Sequence, residues 1–126
     1  MKTSDSLAED SAYREYEVHL PEGAVVRVAF ALGDMEGDSE IAHRARRSGA
    51  LAYGTAVVLD GLDMPRHPMP RYPMVWTYDP TQVRIQVNSD DREPTPEVRK
   101  IFARQVRTFV NETTDNPSPS YTTECS

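Results

Sequence analysis

Residues 64–74 read Met-Pro-Arg-His-Pro-Met-Pro-Arg-Tyr-Pro-Met, a five-residue unit, Met-Pro-Arg-(His/Tyr)-Pro, written twice and closed by a third Met. Pro65, Pro68, Pro70 and Pro73 place four prolines in nine residues. A proline has no N–H and a fixed φ, so neither a helix interior nor a central strand can pass through this stretch. The backbone is expected in polyproline II, without internal hydrogen bonds. Regular structure must therefore be built on either side of it.

Upstream, Tyr16, Val18 and Leu20 alternate with Glu15, Glu17 and His19, the period of a half-buried strand. Pro21-Glu22-Gly23 supplies a short turn, and Val26, Val28, Phe30 and Leu32 then form a second alternating row with Arg27 opposite. A tight hairpin pairs Tyr16 with Val28 and Glu17 with Arg27, matching chemistry on both faces. Asp38 or Ser39 can cap a short helix through Arg47, ended by Gly49; Ile41, Ala42 and Ala45 are its apolar side. An ordered loop over 39–47 is the alternative. Leu51 to Leu59 alternates as a strand whose one face, Ala52, Gly54 and Ala56, is unusually small. Such a face lets a helix, a second sheet or a partner approach closely.

Downstream, Asp79-Pro80-Thr81 suits a type I turn with Pro at its second position. It sets Tyr78 opposite Val83, Trp76 opposite Ile85 and Met74 opposite Val87. Thr95-Pro96-Glu97 is a helix start, with Thr as cap, Pro in the first turn and an acid near the positive end of the dipole. Val98, Ile101, Phe102, Val106, Phe109 and Val110 recur behind it at helical spacing.

Two hairpins, one further strand and a terminal amphipathic helix predict an α+β domain over 13–112: an antiparallel sheet of about five strands with the helix across its apolar face. A small β-barrel with a covering helix is the alternative. Residues 1–12, polar and acidic, and 113–126, without apolar periodicity, are expected to be disordered tails.

A chain of 126 residues with a formal net charge of −6 argues against broad nucleic-acid binding, because a phosphate backbone requires excess Lys and Arg. Cys125 is the one cysteine, so no disulfide can form within the chain. No apolar run approaches a membrane span, and no basic start precedes an apolar segment. These features point to a cytoplasmic protein without a membrane partner.

For function, the rigid Met–Pro stretch is the leading candidate. It satisfies Pro-x-x-Pro twice, and its methionines add adaptable apolar area. Met64, Arg66, His67, Met69, Arg71 and Tyr72 are the expected contacts with a protein partner, Arg66, His67 and Arg71 being its exposed side chains. The bland reading is a stiff structural connection tucked onto the core. Self-association is also expected, through a strand edge or through the Ala52/Gly54/Ala56 face.

Two rival readings remain. Arg44, Arg46, Arg47, Arg99, Lys100, Arg104 and Arg107 would form a basic face for nucleic acid. From residue 39 the order α-β-β-β-α resembles a double-stranded-RNA-binding domain, although Pro96-Glu97-Val98 lacks the basic helix start of that module. Asp60, Asp63 and His67 would instead serve a small metal- or ligand-dependent enzyme. No two of His19, His43 and His67 stand at ligand spacing, and no nucleophile elbow, phosphate-binding glycine loop or Cys/His pair is present. Neither a metal nor a cofactor is therefore expected, and the chain reads as a non-enzymatic adaptor, inhibitor or assembly component.

Overall fold

Each alternating segment forms the strand its period dictates. The computed structural model describes residues 13–61 and 66–113. Strands β1 (Tyr13–His19), β2 (Val25–Leu32), β3 (Ala52–Asp60), β4 (Met74–Tyr78) and β5 (Val83–Gln86) make one antiparallel sheet in the order β1-β2-β3-β4-β5. β1 and β5 are its two edges, so the sheet is open and the barrel does not form. Helix α1 (Glu40–Arg47) lies between β2 and β3 in the chain, and α2 (Pro96–Thr113) follows β5. No helix among the described residues is long and apolar enough to cross a membrane.

The hairpin registers follow the sequence. Tyr16 pairs with Val28 and Glu17 with Arg27; Trp76 pairs with Ile85 and Tyr78 with Val83. The first turn is a single 3-10 turn in which Glu22 takes φ 67° and Gly23 φ 80°. The left-handed conformation is cheap for Gly23 and mildly unfavourable for Glu22. Segment 39–47 is a helix rather than a loop: Ser39 Oγ accepts from the Ala42 N–H at 3.0 Å, and Gly49 leaves the helix at φ 84°.

Val18, Val26, Val28, Phe30, Met74 and Trp76 point to one face, which α2 covers with Val98, Phe102, Val106, Phe109 and Val110. Thr95 Oγ1 caps that helix on the Val98 N–H at 3.2 Å. The helix runs to Thr113, one residue past the expected boundary, where the Thr hydroxyl donates to the Phe109 carbonyl at 2.6 Å. Phe109 sits among the rings of Phe30, at 5.7 Å, and Trp76, at 5.9 Å. Edge and tilted contacts of this kind add roughly 0.5–1.5 kcal/mol beyond area burial.

The small face of β3 belongs to this core. Gly54 lies between the Ala31 carbonyl and the Trp76 indole, and a Cβ there would overlap both. The indole N–H donates to the Thr55 carbonyl at 2.9 Å. The Ala52/Gly54/Ala56 face is thus filled from within the chain and is not available to a second copy, as the sequence reading had allowed.

Helix α1 covers the opposite face of the sheet. Its buried Ala42 and Ala45 stand apart from the main core, and its neighbours Val75 and Thr77 are the outward residues of β4. The two helices therefore sit on opposite faces, unlike the arrangement that a double-stranded-RNA-binding domain would require.

Two outcomes follow. Gly54→Ala should destabilise the fold by about 3 kcal/mol, read by urea unfolding, since it overpacks backbone as well as side chain. A loss below about 0.5 kcal/mol would show that the Ala31 backbone and Trp76 can both move aside. Tyr16, whose hydroxyl donates to Glu112 at 2.6 Å, gives the second. Burial of the phenol, and then that hydrogen bond, push its ionisation from 10.0 up to about 12. The folded state holds this proton more tightly, so the contribution is complete below pH 10 and fades as pH rises towards 12. Tyr16→Phe should flatten that alkaline loss in unfolding measurements across the same range.

Candidate functional site

A groove of about 560 Å³ runs along the edge strand β5. Ile41, Arg44, Ala45 and Ser48, from α1 and its C-cap, form one wall. Val75 and Thr77 of β4 form the floor, and Arg99 of α2 closes the other side. All four residues of β5, Val83, Arg84, Ile85 and Gln86, line it. Neighbouring side chains of a strand point to opposite faces. Both sets reach one groove only because the groove follows the open backbone edge of β5.

The pairing register shows which backbone groups face that edge. The Asp79 N–H donates to the Gln82 carbonyl at 3.0 Å and closes the hairpin. Bonded and non-bonded pairs alternate from there, so Thr77–Arg84 and Val75–Gln86 exchange backbone bonds. The backbone groups of Val83 and Ile85 then turn outward. Arg99 bears this out: its Nη1 donates to the Ile85 carbonyl at 2.8 Å, and its Nη2 meets Glu93 at 3.2 Å. A long side chain thus shields part of an edge that would otherwise invite another strand.

The groove is basic in an acidic protein. Arg44, Arg84 and Arg99 line it, together with Thr77, Ser48 and Gln86, and no Asp or Glu is among the lining residues. Arg44 has an exposed, loose ion pair with Glu40 at 3.7 Å, worth little in water. Of the seven expected nucleic-acid residues, only Arg44 and Arg99 meet here. Arg46 turns onto the carbonyls of Met35 and Gly37. Arg107 lies over the Tyr78 ring at 5.7 Å. Arg47 is exposed on α1 and Lys100 and Arg104 are exposed on α2, on opposite faces of the sheet. The continuous basic face does not form. Arg84 was missed because its strand pairing puts it opposite Thr77 without revealing that α1 lies above both.

The Met–Pro connection is largely structural where it is described. Met69 and Pro70 are fully buried and His67 is 8% exposed. Met69 packs into the apolar core and His67 is buried, so neither side chain stands on the surface as expected. His67 Nε2 stands 4.0 Å from the Glu22 carboxylate, which also pairs with Arg66 at 3.1 Å. Arg66 and Arg71 are exposed, and Tyr72 is 55% exposed. Met64 lies outside the described residues.

Asp60 is exposed at the end of β3, in register with Arg27, and Asp63 lies outside the described residues. Among the described residues no three of His, Cys, Asp and Glu come together as metal ligands would. No protein-family model, no curated protein and no solved structure matches this chain.

Asp91 fastens the Met–Pro connection from the far side. Its carboxylate accepts from the N–H groups of Arg71 at 2.9 Å and Tyr72 at 2.8 Å. Burial alone would raise its pKa; the backbone bonds from Arg71, Tyr72 and Arg92 outweigh that and hold it below the ordinary value of 3.8. Its contribution is present above pH 3.8 and is lost as pH falls through the lower folded value. Asp91→Ala should cost about 1 kcal/mol at neutral pH and remove that acid-side loss, measured by unfolding at neutral and acid pH. Unchanged stability would mean that the clamp contributes nothing.

Proposed function

We propose that the protein is a small non-enzymatic binding module that takes a peptide segment of a protein partner into the groove along β5. The observation that carries this reading is that every residue of an edge strand lines one groove, walled by α1 on one side and by Arg99 of α2 on the other. Strand edges flanked in this way supply main-chain hydrogen bonds for affinity and side-chain pockets for selectivity. The groove offers Arg, Thr, Ser and Gln but no carboxylate, histidine or thiol, a lining suited to holding a ligand rather than to acid–base chemistry.

A second contact is supported by Tyr72. Its ring is exposed while its backbone is pinned by Asp91 and flanked by buried Pro70. A pre-ordered aromatic loses little entropy on binding.

A selection of random peptides displayed on phage tests the groove. Peptides should be enriched on the wild-type protein and lose binding to Thr77→Trp, which fills the floor, while circular dichroism and melting temperature stay unchanged. Failure to enrich any peptide, or equal binding to the folded Thr77→Trp protein, would remove the groove as the site. Loss of the same peptides on Tyr72→Ala instead would move the contact to the Met–Pro ridge.

A further inference from the structure

Resting on the groove as the binding site, we infer the chemistry of its occupant: an extended acidic segment of a partner protein, added to β5 as a sixth strand. The backbone supplies the first half of the argument. Val83 and Ile85 turn their N–H and C=O groups to the open edge. A strand laid there, about 4.8 Å from β5, would run between α1 and Arg99, where the groove lies.

Charge supplies the second half. The guest's side chains alternate between the faces of the extended sheet. Those on the α1 side meet Arg44 and Arg84; those on the α2 side meet Arg99. Both rows are thus offered a guanidinium, which pairs with a carboxylate in planar, two-pronged geometry. Arg99 exchanges both of its partners. A guest N–H takes the Ile85 carbonyl from Nη1, and a guest carboxylate accepts from Nη1 and Nη2 in place of that carbonyl and Glu93. In the unbound protein the same arginine shields the edge.

The limited extent of the basic lining favours a peptide over nucleic acid. Three arginines lie within the groove, while Glu40 and Glu93 stand next to Arg44 and Arg99. A polyanion continuing past β5 would meet these acids and a net charge of −6. An acidic stretch matched to the four residues of β5 ends within the groove, where its carboxylates displace Glu40 and Glu93 from the arginines without extending onto the acidic surface beyond.

The test uses the whole chain and four synthetic peptides in fluorescence anisotropy: Glu-Val-Glu-Val-Glu, its Lys-Val-Lys-Val-Lys counterpart, and two forms of the acidic peptide N-methylated at alternate residues, one in each phase. The acidic peptide should bind at least about tenfold more tightly than the basic one, since close charge pairs couple by more than 1.4 kcal/mol. N-methylation in one phase, which blocks the edge-facing amides, should abolish binding; in the other phase it should not. The paired variant Arg44→Glu with Arg84→Glu should reverse the preference while unfolding at the wild-type urea concentration. Equal affinity for acidic and basic peptides, binding that survives both N-methylated forms, or tighter binding of a short oligonucleotide would each overturn the inference. Groove-dependent enrichment of neutral or helical peptides in the phage selection would overturn it too, while leaving the groove in place as the binding site. An empty selection would remove both.

Discussion

The Trp76 indole resting on the bare backbone of Gly54 is the contact on which the rest of the molecule depends. An indole is the largest apolar group in the chain, and it lies flat on a sheet only where the neighbouring strand offers no side chain. Gly54 provides that, with Ala52 and Ala56 lowering the strand on either side. The ring is then placed to donate to the Thr55 carbonyl and to meet Phe109 edge-on. Phe109 in turn brings α2 down onto Phe30. A small-residue strand that would be a defect on an exposed face is here the socket that fixes the distance between sheet and helix.

Electrostatics organise the other face. An excess of acid keeps the surface anionic, yet three arginines from α1, β5 and α2 gather around one strand edge. No single element is basic enough to announce this. It comes about because α1 lies over the outward side of β4 while α2 lies against the inward side, and the sheet ends between them. The Met–Pro connection serves the same end of the sheet as a brace: Met69 and Pro70 enter the core, and Asp91 ties the following backbone to the loop after β5.

Local pattern made the elements and both hairpin registers legible before any coordinates, because period-2 alternation and turn residues act over a few positions. The caps Ser39 and Thr95 were legible for the same reason. What the sequence did not convey was which side of the sheet each helix takes. That depends on where the buried alanines of α1 can settle, a tertiary matter with no periodic signature. Without it, Ala52, Gly54 and Ala56 could be read as a surface, the two basic helices as one patch, and Arg84 as an ordinary outward residue. His67 and Met69 were misjudged for a related reason. Polyproline geometry tells how a segment is shaped but not which of its sides faces the protein.

The order of elements along the chain has a consequence for how the protein is made. Each strand of this meander pairs with the one just before it, so the sheet can assemble progressively as synthesis proceeds. Its apolar face is closed by α2, the last described element. Until residues 96–113 have emerged from the ribosome, Phe30, Met74 and Trp76 have nothing to lie against, and a completed sheet would be a sticky one. Emergence of α2 is therefore the step that covers the apolar face of the sheet. Slowing translation just upstream of it should lengthen the interval in which nascent copies need chaperone protection.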